Sequence, residues 1–352
     1  MNNRELIEFL NTPRFNVSPL IIAELSGNHN QSLERALKLI EAAAACGVDA
    51  VKFQTYTADT ITLNVARDEF VVKNPSSVWN GRTLHGLYEE AHTPWAWHQP
   101  MIEKATSLGL AWLSSPFDFT AVDFLETLDA PAYKIASPEI VDLPLIRRCG
   151  ETGKPLIIST GMADLSEIEA AVRSAREAGC PNVILLKCTT DYPASPENSG
   201  LRTIPHMAQT FGCQTGISDH TLGIGASIAA TALGAVLIEK HLTLARADGG
   251  PDAHFSLEPE EFAQLVRECK NAKAALGDVR YGPVAAERNY IRGRRSLYAT
   301  MDIQAGQVFT AENVRSIRPG FGLAPKHYET ILGRRARRDV CLGTPLAWDL
   351  ID

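Results

Sequence analysis

With 352 residues, 45% of them apolar, the chain is long enough for one large domain and a small one. Its 34 basic and 41 acidic residues are well mixed and leave a net charge of −7, which argues against nucleic acid or an anionic membrane as partner. The seven cysteines, an odd number without a C-x-x-C pair, indicate neither a zinc finger nor a disulfide framework. With no signal core and no run of transmembrane length, a reducing cytoplasm is the expected compartment.

The opening stretch, MNNRELIEFLNTPRFN, has no role that its pattern assigns. LIIAEL (20–25) is then the first of eight short apolar runs. The others are DAVKFQT (49–55), LAWLSSP (110–116), AYKIAS (132–137), LIIST (156–160), VILLKCT (183–189), QTGISDH (214–220) and AVLIEKH (235–241). Continuous runs of this length suit parallel strands covered by helices. Helical periodicity fills the gaps. In QSLERALKLIEAAAACG (31–47), Leu33, Ala36, Leu37, Ile40, Ala43 and Ala44 form one apolar face, and Gly47 is placed to end the helix. Similar segments are 137–153, 166–180, 224–234 and 258–277. Eight β-α units predict a (β/α)₈ TIM barrel over residues 1–277. An open doubly wound sheet competes poorly, because no G-x-G-x-x-G turn follows the first strand.

Barrel enzymes build their sites at the C-terminal strand ends, and there this sequence turns polar. Glu24, Lys52, Gln54, Ser114, Ser115, Lys134, Ser137, Ser159, Thr160, Thr189, Ser218, His220, Glu239 and His241 all fall at such ends. Strand side chains alternate faces, so Lys52 and Gln54 share one, as do Ser218 and His220, and Glu239 and His241. A lone strand-end histidine is usually a hydrogen-bonded core residue. Two on adjacent strands, one of them two residues after a carboxylate, favour a metal. Lysines inside apolar strands are costly unless paired, so Lys52 and Lys134 read as anion ligands, whereas Lys187 and Lys240 read as solvated, with Lys240 pointing outward.

The segment 55–94 between the second and third strands is long enough to be a lid. Its Tyr56, Trp79, Arg82 and Tyr88 suit a sugar-sized ligand. Beyond a charged linker (278–292), residues 293–352 read as a small β-rich domain with one short helix near 326–332. Too small to be more than marginal alone, it is expected to dock on the barrel or on a second chain. Arg318, in RPGFG, is the cation there able to reach an external carboxylate or sugar.

The motifs IAELSGNHNQSLERAL, AVKFQTYTADTIT, SSPFD, PAYKIAS, STGM, LLKCTTDYP, GISDHTLG, IEKHLT, GGPDAHFSLEPEEF and SIRPGFG occur in this order from about residue 18 to the end. Together they resemble the sialic acid synthase family, including its C-terminal antifreeze-like (SAF) domain. ELSGNHNQSLERA, WNGRTLHGLYEEAHTPW and DGGPDAHFSLEP are similar to its pseudaminate branch more than to its neuraminate branch. The resemblance implies a transferase that condenses phosphoenolpyruvate with an open-chain N-acylated hexose, giving a nine-carbon 2-keto-3-deoxy acid and phosphate. In the pseudaminate branch the sugar is 2,4-diacetamido-2,4,6-trideoxy-L-altrose. It implies a divalent cation (manganese, magnesium or cobalt) on His220 and His241, with Glu239 beside it. Lys52, Ser115, Lys134, Ser137, Ser159 and Ser218 match phosphoenolpyruvate contacts, and Glu24, Gln54, Tyr192, Asp252 and Arg318 match groups around the sugar and the reacting centre. The neuraminate branch has asparagine where this chain has Thr190. The family also implies a domain-swapped homodimer in which Arg318 acts in trans.

On chemical grounds Glu24 is the candidate for moving the aldehyde or water proton, and Lys134 and Lys52 for neutralising the anionic donor. The alternatives differ in kind. A neuraminate or legionaminate synthase would differ only in the sugar pocket. A Schiff-base aldolase would use Lys134 as nucleophile. A carbohydrate-binding protein on a retired barrel would bind sugar without turnover.

Overall fold

The computed structural model describes residues 1–13, 17–74 and 79–352. Two compact units divide the chain, Met1–Gly277 and Asp278–Asp352.

In the first unit, eight parallel strands close into a barrel in chain order: β1 Leu20–Glu24, β2 Ala50–Thr55, β3 Ala111–Pro116, β4 Tyr133–Ile135, β5 Leu156–Ser159, β6 Val183–Cys188, β7 Gln214–Asp219 and β8 Leu237–His241. Strand β8 pairs back onto β1, aligning Glu24 with His241. The expected TIM barrel is therefore present, with helices between successive strands. The first of these, Leu33–Cys46, starts where the Ser32 hydroxyl accepts the Arg35 N–H and stops at Gly47, which takes a φ of 79°. Its buried stripe runs through Ala36, Leu39, Ile40 and Ala43, with Leu33, Leu37 and Ala44 at its margin.

Strand alternation separates two cores. Outward residues such as Ile21, Val51, Trp112, Ile158, Leu185 and Ile238 pack under the helices. Inward residues Leu20, Ile22, Ala50, Leu113, Ile157, Ile184, Leu186 and Leu237 fill the lower barrel. The opening stretch, unassigned from sequence, closes that lower end. Helix Asn3–Asn11 is fixed by a reciprocal cap between Asn2 and Glu5 and puts Leu6, Phe9 and Leu10 into the inner cluster. Gly216 is needed where β7 meets β8, since a Cβ there would stand 2.2 Å from the Leu237 carbonyl oxygen.

The second unit pairs β9 (Ser296–Ala299) antiparallel with β10 (Val314–Ile317). Leu297, Ile303, Phe309, Val314, Ile331, Leu346 and Leu350 form its core, beside the short helix Tyr328–Ile331. Among the described residues, no helix is long and apolar enough to cross a membrane.

Candidate active site

Along the inner faces the side chains turn from apolar to polar toward the C-terminal strand ends. Leu20 and Ile22 give way to Glu24, Ala50 gives way to Lys52 and Gln54, and Leu237 gives way to Glu239 and His241. Above this change lies a cavity of about 480 Å³. Of the residues singled out from sequence, Glu24, Lys52, Gln54, Lys134, Ser137, Ser159, Tyr192, Ser218, His220, Glu239, His241 and Asp252 all line it, from seven of the eight strands or the loops after them.

The floor is a buried charge cluster. Lys52, Lys134, Glu24 and Glu239 are each no more than 3% exposed. The Lys52 ammonium contacts the Glu24 carboxylate directly, lies 3.9 Å from Glu239 and donates to Ser115 Oγ at 3.1 Å. Lys134 lies 3.6 Å from Glu239, which also accepts from Ser218 Oγ at 3.0 Å. Burial raises the Glu24 carboxyl to about 7, although Lys52 opposes the shift. Burial also pushes Glu239 upward, but Lys134 and Lys52 together hold it below the usual carboxylate range. For Lys52, burial is outweighed by Glu239 and Glu24, which keep it charged; Lys134 is lowered, chiefly by burial. Near neutral pH Glu24 is only partly ionised, so Lys52 and Lys134 are not fully balanced by the two carboxylates, an environment suited to a small anion. Oε2 of Glu239 and Oγ of Ser159 are buried without a hydrogen-bond partner, as groups awaiting a ligand would be.

The imidazoles stand side by side at the rim of this floor, ring centres 5.4 Å apart. The Thr189 carbonyl lies 3.0 Å from Nδ1 of His220, and Ser26 Oγ lies 3.2 Å from Nδ1 of His241. These contacts anchor each ring through Nδ1. Burial, with His220 and Lys52 nearby, keeps His241 well below its ordinary value and so neutral, as a metal ligand must be. Two imidazoles sharing one ion at ~2.1 Å have ring centres roughly 5 Å apart. The pair fits a divalent cation with most of its coordination left to substrate and water, and no group of three or more protein ligands exists among the described residues. Phe255 backs both rings, 4.8 Å from His241 and 5.9 Å from His220, and Tyr192 packs on His220 at 4.5 Å.

Other expectations need adjustment. Ser115 sits behind Lys52 as a hydrogen-bond partner and does not line the cavity. Arg318 lies in the second unit, exposed. From the long segment, Tyr56, Trp79 and Tyr88 do face the cavity, but Arg82 pairs with Glu90 at 2.5 Å and does not line it. Residues 75–78 of that segment lie outside the described residues. Lys187 is half-buried and donates to the Cys188 carbonyl. Lys240 is corrected outright. It points away from the barrel interior as expected, but it is 1% exposed and paired with Asp219 at 2.9 Å. The outer face of a barrel strand meets helices, not water. Sequence reasoning missed Cys188, Glu139 and Phe255. Cys188 could have been found by parity, since it shares the inward face with Leu186; Glu139 and Phe255 sit in loops that carry no such rule.

Comparison with known proteins agrees with this geometry. The NeuB family matches residues 39–281, and the SAF domain matches residues 294–352. Pseudaminic acid synthase of Campylobacter jejuni is 42% identical over 329 residues, covering 93% of this chain and 94% of that one. Its Helicobacter pylori namesake is 40% identical over 336 residues, covering 95% and 98%. A crystal structure of N-acetylneuraminic acid (sialic acid) synthetase from Leptospira borgpetersenii, in complex with citrate, superposes with a TM-score of 0.69 at 30% identity, covering 79% of this chain and 92% of that chain. The motif resemblance, the barrel and its lysine-lined mouth thus converge, and the chain belongs to the NeuB family.

Proposed function

We propose that this chain is a pseudaminic acid synthase, condensing phosphoenolpyruvate with open-chain 2,4-diacetamido-2,4,6-trideoxy-L-altrose to give pseudaminic acid and phosphate. The observation that carries this reading is the pair of buried ammonium groups, Lys52 and Lys134, on the floor beneath two adjacent imidazoles. The likeness to the two synthases above supports the same product.

In this reading Lys52 and Lys134 hold the carboxylate and phosphate of the donor, aided by the hydroxyls of Ser137, Ser159 and Ser218. His220 and His241 hold a manganese, magnesium or cobalt ion, which when bound supplies Lewis-acid polarisation of the aldehyde. The methylene carbon of phosphoenolpyruvate bonds to the aldehyde carbon, and the aldehyde oxygen takes up a proton. Water adds to the electron-poor C2 and gives its proton to Glu24, whose value of about 7 lets it pass that proton to the new alkoxide. Glu239 steadies the positive charge on C2. The C2–O bond to phosphate then breaks, and the C2 hydroxyl becomes the ketone.

The sugar's far end must lie above this floor. Tyr56 stands four residues beyond Lys52, roughly 13 Å up the strand direction. Ile61, Val72, Leu84, Leu87 and Phe117 give the same cavity an apolar wall. Such a wall suits a deoxy carbon and acetamido methyls, while Gln54, Tyr192 and Asp252 are left for the polar groups.

The barrel's cavity lining holds no arginine among the described residues. We therefore propose that Arg318 from the SAF unit of a second copy completes the site in a domain-swapped homodimer. Substrates of this kind place the enzyme in the cytoplasm.

The test is phosphate release from phosphoenolpyruvate carrying ¹⁸O at the bridging oxygen, with altrose-, mannose- and glucose-derived sugars side by side. The reading expects the altrose derivative to be preferred and the label to appear in phosphate. A pyruvate adduct trapped by borohydride on Lys134, or label retained in the sugar acid, would overturn it. Mixing inactive Lys52→Met and Arg318→Ala proteins tests the homodimer, which requires activity to return in the mixture.

A further inference from the structure

Strands β7 and β8 carry the two imidazoles on their inner faces, and directly behind them lies a buried ion pair that the chemistry does not use. Asp219 and Lys240 are register partners across the two strands. Each immediately neighbours a histidine in sequence, and each points outward beneath the helix layer, 2% and 1% exposed. An outward position on a barrel strand ordinarily takes an aliphatic side chain, and a well-packed aliphatic pair is generally no less stable than a buried ion pair. What distinguishes this pair is where its remaining bonds go.

Lys240 Nζ lies 2.9 Å from Asp219 Oδ2 and donates to the carbonyl of Thr221 at 2.7 Å and to that of Asp219 at 3.3 Å. One ammonium therefore grips the backbone on both sides of His220. Asp219 Oδ1 accepts the Thr221 N–H at 2.9 Å and its hydroxyl at 2.8 Å, and Oδ2 accepts from Ser227 Oγ at 2.6 Å, in helix Gly225–Ala232. Thr221 and Ser227 are themselves buried. On the inner face of the same strand pair, Ser218 Oγ donates to Glu239 Oε1 at 3.0 Å. The two strand ends are thus stapled on both faces, and the outer staple is the one that reaches the loop after His220.

We infer that Asp219 and Lys240 are positioning residues that hold the His220 and His241 backbones at the separation a shared divalent ion requires. The inference rests on the metal assignment under Proposed function. The imidazole rings are oriented from elsewhere, by Thr189 and Ser26. The ion pair sets where the rings start from. Groups supporting metal-binding histidines from behind commonly change metal affinity by about 10–100-fold when removed.

The experiment measures Mn²⁺ binding to the full-length protein by the electron paramagnetic resonance of free Mn²⁺, without substrates. The double variant Asp219→Asn/Lys240→Met removes both charges at once, so neither is left buried alone. It is expected to keep the wild-type circular dichroism spectrum and to raise the Mn²⁺ Kd about 10–100-fold. Ser227→Ala keeps both charges and loosens only one bond to Asp219, and is expected to raise the Kd about threefold. A folded double variant with wild-type Kd overturns the inference. If the double variant does not fold, an unchanged Kd in Ser227→Ala overturns it instead. Wild-type protein that binds no Mn²⁺, or a His220→Ala control that binds it normally, sinks the metal assignment and this inference with it. An unchanged Kd in the variants beside an intact control sinks the inference alone.

Discussion

The lower and upper halves of the barrel interior are built on the same strands and obey opposite rules. Below, Leu20, Ile22, Ala50, Ile157 and Leu237 interlock with Leu6 and Leu10 of the N-terminal helix in one apolar cluster. Above, within one further inward residue, Glu24, Lys52 and Glu239 give up solvent for each other. The difference teaches how such a site is held. The lower half contributes packing that is indifferent to ligand, and the upper half keeps polar groups without protein partners: the Ser159 hydroxyl is free to donate to an anion, and Glu239 Oε2 is open to a donor or a cation.

On that division, breaking the upper half destroys activity first. His220→Ala or His241→Ala is expected to lower phosphate release by on the order of 10³ or more, with an unchanged circular dichroism spectrum. Chelation of the wild-type protein should do the same, reversed by Mn²⁺. Lys52→Met should damage both properties. Catalytic efficiency toward phosphoenolpyruvate should fall by about 10²–10³. Stability to urea should fall by about 3–5 kcal/mol, because Glu24 and Glu239 lose a buried counter-charge. Full stability in that variant would mean the cluster is wetter than its burial indicates. In the lower half the pattern inverts. Leu10→Ala should cost about 2–5 kcal/mol in urea titration while kcat/KM stays within about twofold. A pH dependence sharpens the boundary between the halves. Burial lifts Glu24 to about 7, so below that pH the carboxyl keeps its proton and cannot accept one. Thus kcat/KM should rise about tenfold per unit up to about pH 7, then level off, and Glu24→Gln should lose that limb along with most of its activity. A limb that survives the substitution reports another group.

The eight strands could be read from the sequence because a fully covered parallel strand is a continuous apolar run, and each observed strand lies inside its run. The polar ends could be read because burying Lys52 or Glu239 in such a run makes no sense without a ligand or partner. Period-two parity then put Lys52 with Gln54 and Glu239 with His241 on the cavity side, where they are found. The same parity rule failed on Lys240 through an added assumption, that outward means wet. Helix Asn3–Asn11 escaped notice because a short capped helix has too few turns to show its face; only docking reveals that Leu6 and Leu10 are core. Glu139 and Phe255 follow no strand rule, and loop conformation alone brings them to the site.

Between β2 and β3 the chain leaves the barrel to build the apolar wall of Ile61, Val72, Leu84 and Leu87, then rejoins the scaffold in the helix His98–Ser107, whose Met101 and Ala105 pack in the outer core. None of the charged floor lies within that excursion. It can therefore be treated as an exchangeable cassette. Transplanting 56–94 between family members should carry sugar preference along with it and leave the donor half-reaction behind, so new acceptors can be explored without redesigning the chemistry.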